Sequence, residues 1–252
     1  MKSRARVSAR RVDPTPGSTP DLKVGPAIEQ VRNAIVGCER CQRLRTYCQR
    51  IAREKKKAHR DDVYWGKPVP GFGDPNARVL VIGLAPAAHG ANRTGRVFTG
   101  DGGGGSGDFL YTAMHGAGFS NRTTSQRIDD GLTLTDAYIA AAVRCAPPDN
   151  KPTLQEIITC HQHLVAEASA LPNVRVIVAL GRIGFDAAWR LLAERGVTMK
   201  PRPPFGHNLV YRPAGGPAVI ASYHPSRQNT NTGKLTAPMM AAVFRAAERL
   251  SR

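Results

Sequence analysis

The chain has 252 residues, enough for one sizeable core, and its 41% hydrophobic and 22% charged residues are typical of a soluble globular domain. The 36 Lys and Arg against 19 Asp and Glu give a net charge of +17, which favours a polyanionic partner, nucleic acid before an anionic membrane surface. Since no segment has the apolar length of a membrane span or of a signal-peptide core, we expect no membrane association and a reducing, cytoplasmic location.

The first 25 residues read as a basic arm separate from the folded part. Residues 1 to 12 carry five basic side chains and no acid, and Pro14, Pro16 and Pro20 follow. This composition predicts disorder, and it suits either a mitochondrial transit peptide or an arm that touches phosphates. We expect residues 26–252 to form one compact domain, active as a monomer.

Residues 26–252 alternate between apolar runs and helical stripes. Short runs of apolar residues, typical of strands buried on both faces, predict four strands, at residues 79–82, 137–144, 174–181 and 218–223. Apolar spacing and end signals, among them a capping box of Thr153 and Glu156, predict helices at 26–36, 43–60, 109–116, from 153, at 183–192 and at 239–250. The alternation predicts an α/β fold, a single three-layer αβα domain with a central, mostly parallel four-stranded sheet.

Five cysteines in a chain without an export signal favour a metal or cluster site over a disulfide framework. Cys38 and Cys41 form a C-x-x-C pair, Cys145 follows a predicted strand, and Cys160 lies in the next predicted helix. Four thiolates suit tetrahedral zinc or an iron-sulfur cluster. Because the second pair is not a compact hook, we favour a 4Fe-4S cluster of mainly structural role. Cys48 is interpreted as a small half-buried hydrophobe, although Cys41, Cys48 and His59 allow another assignment.

Two loops directly follow predicted strands. The first, within VLVIGLAPAAHGANRTGRVFTGD at residues 79–101, passes from a buried strand into small residues, Phe98 and Asp101. The second, HPSRQNTNTG, begins at His224 after the fourth strand. Each alone is also an ordinary connection, but strand ends of a parallel sheet share an edge, so we expect the two loops to share a crevice.

Together, GLAPAAHGANRTGRVFTGD and HPSRQNTNTG resemble the two active-site motifs of the uracil-DNA glycosylase superfamily, specifically its iron-sulfur-containing family 5 branch. Cys38, Cys41, Cys145 and Cys160 match that branch's cluster ligands in order and rough spacing, and the resemblance covers roughly residues 27–250. It implies flipping and hydrolytic removal of uracil, and of other deaminated bases such as hypoxanthine, from DNA.

The resemblance also implies roles for individual residues. His224 is expected to donate to the base oxygen, Phe98 to stack on the base, and Asp101 to orient water and offset charge on the sugar, with Asn150 as a second polar partner. Backbone groups near three residues of the first motif are expected to line the base pocket: Gly83, Leu84 and Ala85. Five side chains are expected to contact DNA: Asn92, Ser226, Arg227, Gln228 and Thr232.

The chain departs from related branches at several motif positions. Leu84 and Ala85 replace polar residues, Ala141 and Ala142 stand where relatives read base edges with Asn, and Arg227 or Gln228 stands where they carry an apolar wedge. The departures imply a broader base range and leave the wedge unassigned.

Other histidines and other functions are weighed against this interpretation. We interpret five histidines as structural: His89, His115, His161, His163 and His207. The competing functions are a non-catalytic iron-sulfur protein that recognises damaged DNA and a hydrolase of small nucleotides, for which activity on free deoxyuridine would be the sign.

Overall fold

A computed structural model of the protein describes residues 26–100 and 104–252. The predicted basic arm, residues 1–25, and the predicted catalytic Asp101 lie outside the described residues. Both therefore stay predictions from the sequence.

The described residues contain one six-stranded sheet. Its strands are β1 (Phe72–Gly73), β2 (Val79–Gly83), β3 (Ala137–Ala141), β4 (Val176–Leu180), β5 (Leu209–Tyr211) and β6 (Ala218–Ser222), in the order β1-β3-β2-β4-β6-β5. The four central strands are parallel, with Val81 paired to Ile139 and to Val178 in its two neighbours. The predicted α/β class and these four strands are confirmed.

The predicted strand number was too low by two, because the sheet carries an antiparallel strand at each edge. β1 has only two residues, and β5 has three, of which Leu209 and Val210 are exposed. Segments this short show neither a buried run nor a period of two, so the sequence carries no strand signal for them.

Helices cover both faces of the sheet. They are α1 (Pro26–Val36), α2 (Gln42–Glu54), α3 (Ala91–Thr94), α4 (Ser106–His115), α5 (Leu154–Ser169), α6 (Gly181–Glu194), α7 (Arg227–Asn231) and α8 (Ala237–Ser251), with 3-10 turns at Lys57–His59 and Pro148–Asn150. The capping box of Thr153 and Glu156 is present. The helix predicted over 43–60 instead ends at Glu54, because Lys55 takes a left-handed φ of 55°.

Alternate residues of β2 enter two different cores. Val79 and Val81 pack with α4 and α8, whereas Leu80 and Ile82 pack with α1, α5 and α6. Because successive side chains of a strand point to opposite faces of the sheet, β2 packs against helices on both faces, as the predicted three-layer domain requires. None of the helices in the described ranges has the length and apolar character to cross a membrane.

A buried ion pair joins the loop after β3 to α5. The Arg144 guanidinium lies 2.7 Å from the Glu167 carboxylate, and both side chains have at most 1% of their surface exposed. Glu167 also accepts hydrogen bonds from the Gly71 N–H, at 2.7 Å, and from the Tyr138 hydroxyl, at 3.2 Å. One carboxylate thus ties together a loop, a central strand and a helix.

We predict that Glu167→Gln lowers the free energy of unfolding by about 3–5 kcal/mol, because it leaves the Arg144 charge buried without a counter-charge. The matched control is Glu54→Gln, which removes the exposed Arg50–Glu54 pair of α2 and is expected to cost less than about 1 kcal/mol. Urea unfolding of the three proteins measures both differences. A cost for Glu167→Gln as small as that of the control would contradict the prediction.

Candidate active site

The loops that follow β2, β3 and β6 surround one cavity of about 530 Å³ at the carboxyl edge of the sheet. The sheet places β3 on one side of β2 and β4 on the other, so the crevice lies beside a point where the strand order reverses. Residues of both predicted motifs line it: Leu84, Ala85, Phe98, His224, Ser226 and Arg227. The expectation that the two loops share a crevice is confirmed.

Phe98 and His224 lie together in this cavity. Their ring centroids are 5.8 Å apart and their planes are inclined by 27°. A Cβ on Gly83 would approach the Phe98 ring to 2.9 Å, so the ring rests on the end of β2, and Phe98 itself has a left-handed φ of 51°. Gly83 therefore contributes by leaving room for the Phe98 ring to lie against β2, while Leu84 and Ala85 line the cavity directly.

His224 is held as a neutral imidazole. Burial lowers the pKa of His224 to about 4, well below the ordinary value of about 6.5. The Asn229 side-chain amide donates to the His224 carbonyl at 2.8 Å. His224 also packs closely against Gly181, since a Cβ at position 181 would lie 3.1 Å from the His224 Cβ. At neutral pH the ring can thus donate one hydrogen bond without carrying charge.

A buried arginine that the sequence analysis did not single out fixes the first motif loop. Arg96 donates to both Asp130 oxygens at 2.7 Å, to the Ser125 hydroxyl at 2.9 Å and to the Thr99 hydroxyl at 3.0 Å. The Gly100 N–H donates to the Ser125 carbonyl at 2.9 Å. These bonds hold the backbone on both sides of Phe98 up to the residue that precedes Asp101. The only sequence signal was the position of Arg96 within the motif.

Asn150 and its neighbour Asp149 line the cavity from the loop after β3. Both are exposed, and both have left-handed φ values, 57° and 53°. Asp149 adds a carboxylate that the sequence analysis did not consider. Tyr47, Lys56 and His59, outside the motifs, also line the cavity, and so does His89 of the first motif. Burial lowers the pKa of both histidines first, and nearby cations lower it further.

The predicted DNA contacts divide into accessible and inaccessible side chains. Ser226 caps α7 by accepting from the Asn229 N–H at 3.4 Å, and Arg227, Gln228 and Thr232 are exposed on and after that short helix. Asn92 is fully buried, and its amide donates to the carbonyls of Cys48 and Ala88, each at 3.3 Å. The prediction that Asn92 contacts DNA was wrong, because this side chain fastens α2 to the motif loop.

Four cysteines line a second, narrow apolar cavity: Cys38, Cys41, Cys145 and Cys160. Cys38 and Cys41 come from the turn between α1 and α2, Cys145 follows β3, and Cys160 lies in α5. Burial raises the pKa of the Cys160 thiol to about 12, and a hydrogen bond with Cys48 followed by burial raises the pKa of Cys145. Within the described ranges, no three Cys, His, Asp or Glu side chains are arranged as ligands of a metal ion.

Arginines and hydrogen-bond donors line this cysteine cavity. The Arg40 guanidinium donates to the Cys38 sulfur at 3.2 Å, and the backbone N–H of Arg144 donates to the Cys160 sulfur at 3.2 Å. Arg45 and His163 line it as well. His163, interpreted from the sequence as structural, contacts Arg40 at 2.5 Å, and burial lowers its pKa to about 4.

Comparisons with known proteins point in one direction. The model of the uracil DNA glycosylase superfamily matches residues 70–248. The chain is 49% identical over 217 residues to a type-5 uracil-DNA glycosylase of Thermus thermophilus, covering 86% of this chain and 95% of that one. Type-5 uracil-DNA glycosylases of Mycobacterium tuberculosis (46% identical, 87% and 80% covered) and Pyrobaculum aerophilum (44% identical, 85% and 89% covered) are also similar to it.

We predict that the His224 ring titrates at about pH 4 in the folded protein and at about pH 6.5 in urea. The folded pKa lies below the unfolded one, so between pH 6.5 and 4 the unfolded chain binds more protons, and acidification through this window reduces stability. Proton chemical shifts of the imidazole, assigned by a His224→Gln variant, measure the pKa. A folded-state transition near pH 6.5 would show that the ring is solvated and charged far more readily than the structure implies.

Proposed function

Because the chain belongs to the uracil DNA glycosylase superfamily, we propose that it excises uracil from DNA by hydrolysing the N-glycosidic bond of a flipped nucleotide. The observation that carries the proposal is the meeting of Phe98 and His224 in one cavity, each from a separate motif loop. A flat aromatic face beside a neutral hydrogen-bond donor is complementary to a planar base that carries carbonyl oxygens.

The chemistry requires stabilisation of charge on both sides of the breaking bond. Negative charge develops on the departing base, and the His224 N–H, held in place by the loop after β6, is suited to donate to the base oxygen on which that charge accumulates. Phe98 holds the ring plane by stacking. Because the imidazole is neutral at neutral pH, it has one N–H to donate and brings no positive charge of its own into the cavity.

Positive charge develops on the sugar at the same time. In our proposal Asp101 polarises the attacking water and offsets that charge. What supports this role is its position in the chain, directly after Gly100, which lines the cavity and is fixed through Ser125. Asn150, across the cavity on the loop after β3, is proposed to help to orient the water or the base.

DNA is the proposed substrate because the chain is strongly basic and two of its cationic side chains lie at the cavity. The chain carries a net charge of +17, and Lys56 and Arg227 both line the cavity that would receive the flipped base. Contacts between such cations and phosphates release counterions, so binding should weaken steeply as salt rises.

We also propose that the base range extends beyond uracil to other deaminated bases such as hypoxanthine. Small side chains, Ala85, Ala88 and Ala141, line a cavity of about 530 Å³. No side-chain amide stands at Ala141 to select one pattern of base edges. Release of hypoxanthine from duplex DNA is the corresponding assay.

We predict that the enzyme in excess releases free uracil from uracil-containing duplex DNA and leaves abasic sites. His224→Ala should slow release by about 10²–10³-fold, the cost of losing one donor to a developing oxyanion. Asp101→Asn should also slow it sharply. The matched control is His115→Ala, since this exposed histidine of α4 bonds to the nearby Ser120 carbonyl, at 2.8 Å, and does not line the cavity, so its loss should leave the rate unchanged.

Three outcomes separate the alternatives. Unchanged release by both His224→Ala and Asp101→Asn would contradict the mechanism. Binding of uracil-containing DNA without base release would favour a damage-recognition protein. Activity on free deoxyuridine with weak salt dependence would favour a nucleotide hydrolase.

We propose that Cys38, Cys41, Cys145 and Cys160 hold a 4Fe-4S cluster. Four soft sulfur donors from three parts of the chain line one cavity. The Arg40 guanidinium and the Arg144 backbone N–H, which donate to two of the sulfurs, suit the negative charge of thiolate ligands. Metal coordination would deprotonate thiols whose pKa burial otherwise raises. When bound, the cluster would supply cross-links that fasten the α1–α2 segment to β3 and α5.

We predict that the purified protein is brown, with broad visible absorbance and bound iron, and that Cys160→Ser loses both. Cys48→Ser is the matched control, because Cys48 is equally buried but is assigned no ligand role. Iron content and absorbance distinguish the two variants. A colourless protein that carries zinc would contradict the cluster, and equal loss of iron in Cys48→Ser would contradict the ligand assignment.

A further inference from the structure

Val63 is an aliphatic side chain that projects into solvent beside the candidate active site. Its exposed fraction is 93%, the highest among the large hydrophobic side chains of the described residues, ahead of Leu154 at 67% and Ile128 at 59%. Single exposed aliphatic residues are common on protein surfaces and need no explanation by themselves. What distinguishes Val63 is the way in which both of its chain neighbours are fastened.

Asp62, on one side, is fixed to the active-site loop. Its carboxylate lies 2.6 Å from the Arg93 guanidinium and 3.5 Å from the His59 ring. Arg93 also donates to the Gly100 carbonyl at 2.8 Å and to the His89 carbonyl at 2.9 Å. Asp62 is therefore bound, through one arginine, to the backbone that precedes Asp101.

Tyr64, on the other side, is buried and fixed to the same rim. Its hydroxyl lies 3.0 Å from the His89 Nδ1 atom and accepts from the Lys56 N–H at 3.3 Å. Both neighbours of Val63 are thus held by contacts with the rim of the cavity, while the Val63 side chain itself lies in solvent. Val63 is thus an apolar side chain in contact with water, between two residues that are fastened to the rim of the cavity.

The anchors also locate Val63 relative to the cavity. His59 bonds Asp62 and His89 bonds Tyr64, and both of these histidines line the candidate active-site cavity together with Lys56. Lys57 and Arg60 are exposed on the same turn. Val63 consequently lies at the lip of the cavity, on a segment whose cations suit DNA phosphates.

We propose that Val63 is the wedge that enters the base stack when the target nucleotide leaves it. Proteins that distort DNA insert apolar side chains between base steps, and the exposed aliphatic group replaces part of the stacking that the flipped base gives up. The assignment rests on the proposed base excision. It is consistent with the second motif loop, where Arg227 and Gln228 offer polar side chains.

A wedge matters only where a stack must be opened. Removing it should slow excision from a uracil·adenine pair, slow it less at a uracil·guanine mismatch, and leave a single-stranded substrate unaffected, because damaged or unpaired bases cost less to extrude. A general loss of fold or of catalytic geometry would slow all three equally. The ratio of duplex to single-strand rates is therefore the diagnostic quantity.

The experiment measures single-turnover uracil release from these three substrates for the full-length wild type, Val63→Ala, Val63→Leu and the control Leu154→Ala. Leu154 is also an exposed aliphatic residue, at the start of α5. We expect Val63→Ala to lower the duplex to single-strand ratio about tenfold, with Val63→Leu restoring it and Leu154→Ala leaving it unchanged. Fluorescence of 2-aminopurine placed next to the uracil should report less unstacking in Val63→Ala.

The outcomes separate the wedge from the activity on which it rests. Wild-type protein that releases uracil while Val63→Ala keeps the wild-type ratio would overturn the wedge and leave the excision proposal standing. Equal slowing on all three substrates would also overturn it. Wild-type protein that releases uracil from no substrate would overturn the excision proposal and the wedge with it.

Discussion

The parallel register of β2, β3, β4 and β6 is the constraint on which the site depends. Gly83 pairs with Ala141, Ile82 with Ala179, and Leu180 with Ser222, so the strands end at nearly the same level. Three loops that are far apart in the chain leave the sheet there and surround one cavity. A slip of one residue in β2 would exchange its two faces and separate Phe98 from His224.

The loops at this edge of the sheet are positioned by buried charged side chains that contact an opposite charge. Arg96 is surrounded by Asp130, Ser125 and Thr99, and its bonds determine where Phe98 sits on Gly83. In the loop after β3, Arg144 similarly forms an ion pair with Glu167 of α5. Since an unpaired buried charge is strongly destabilising, each pair specifies one arrangement of its loop at the cost of tolerating few substitutions.

The sequence predicted what local pattern and composition determine. Buried runs marked the four central strands, Thr153 and Glu156 marked the start of α5, and the two motifs marked the loops that meet at the cavity. The edge strands, the break at Lys55 and the burial of Asn92 were missed, because they depend on contacts with distant segments. Arg96 was missed for the same reason, since its partners, Ser125 and Asp130, lie about thirty residues away.

Neutral His224 beside the flat face of Phe98 is the centre of this account, and a trapped complex tests it most directly. The measurement is a crystal structure with duplex DNA that carries 2′-fluoro-2′-deoxyuridine, whose fluorine disfavours positive charge on the sugar and so slows cleavage. We predict a flipped uracil ring stacked on Phe98, with a base oxygen within about 3.2 Å of a His224 ring nitrogen. A uracil that remains in the duplex, or that binds away from these two rings, would contradict it.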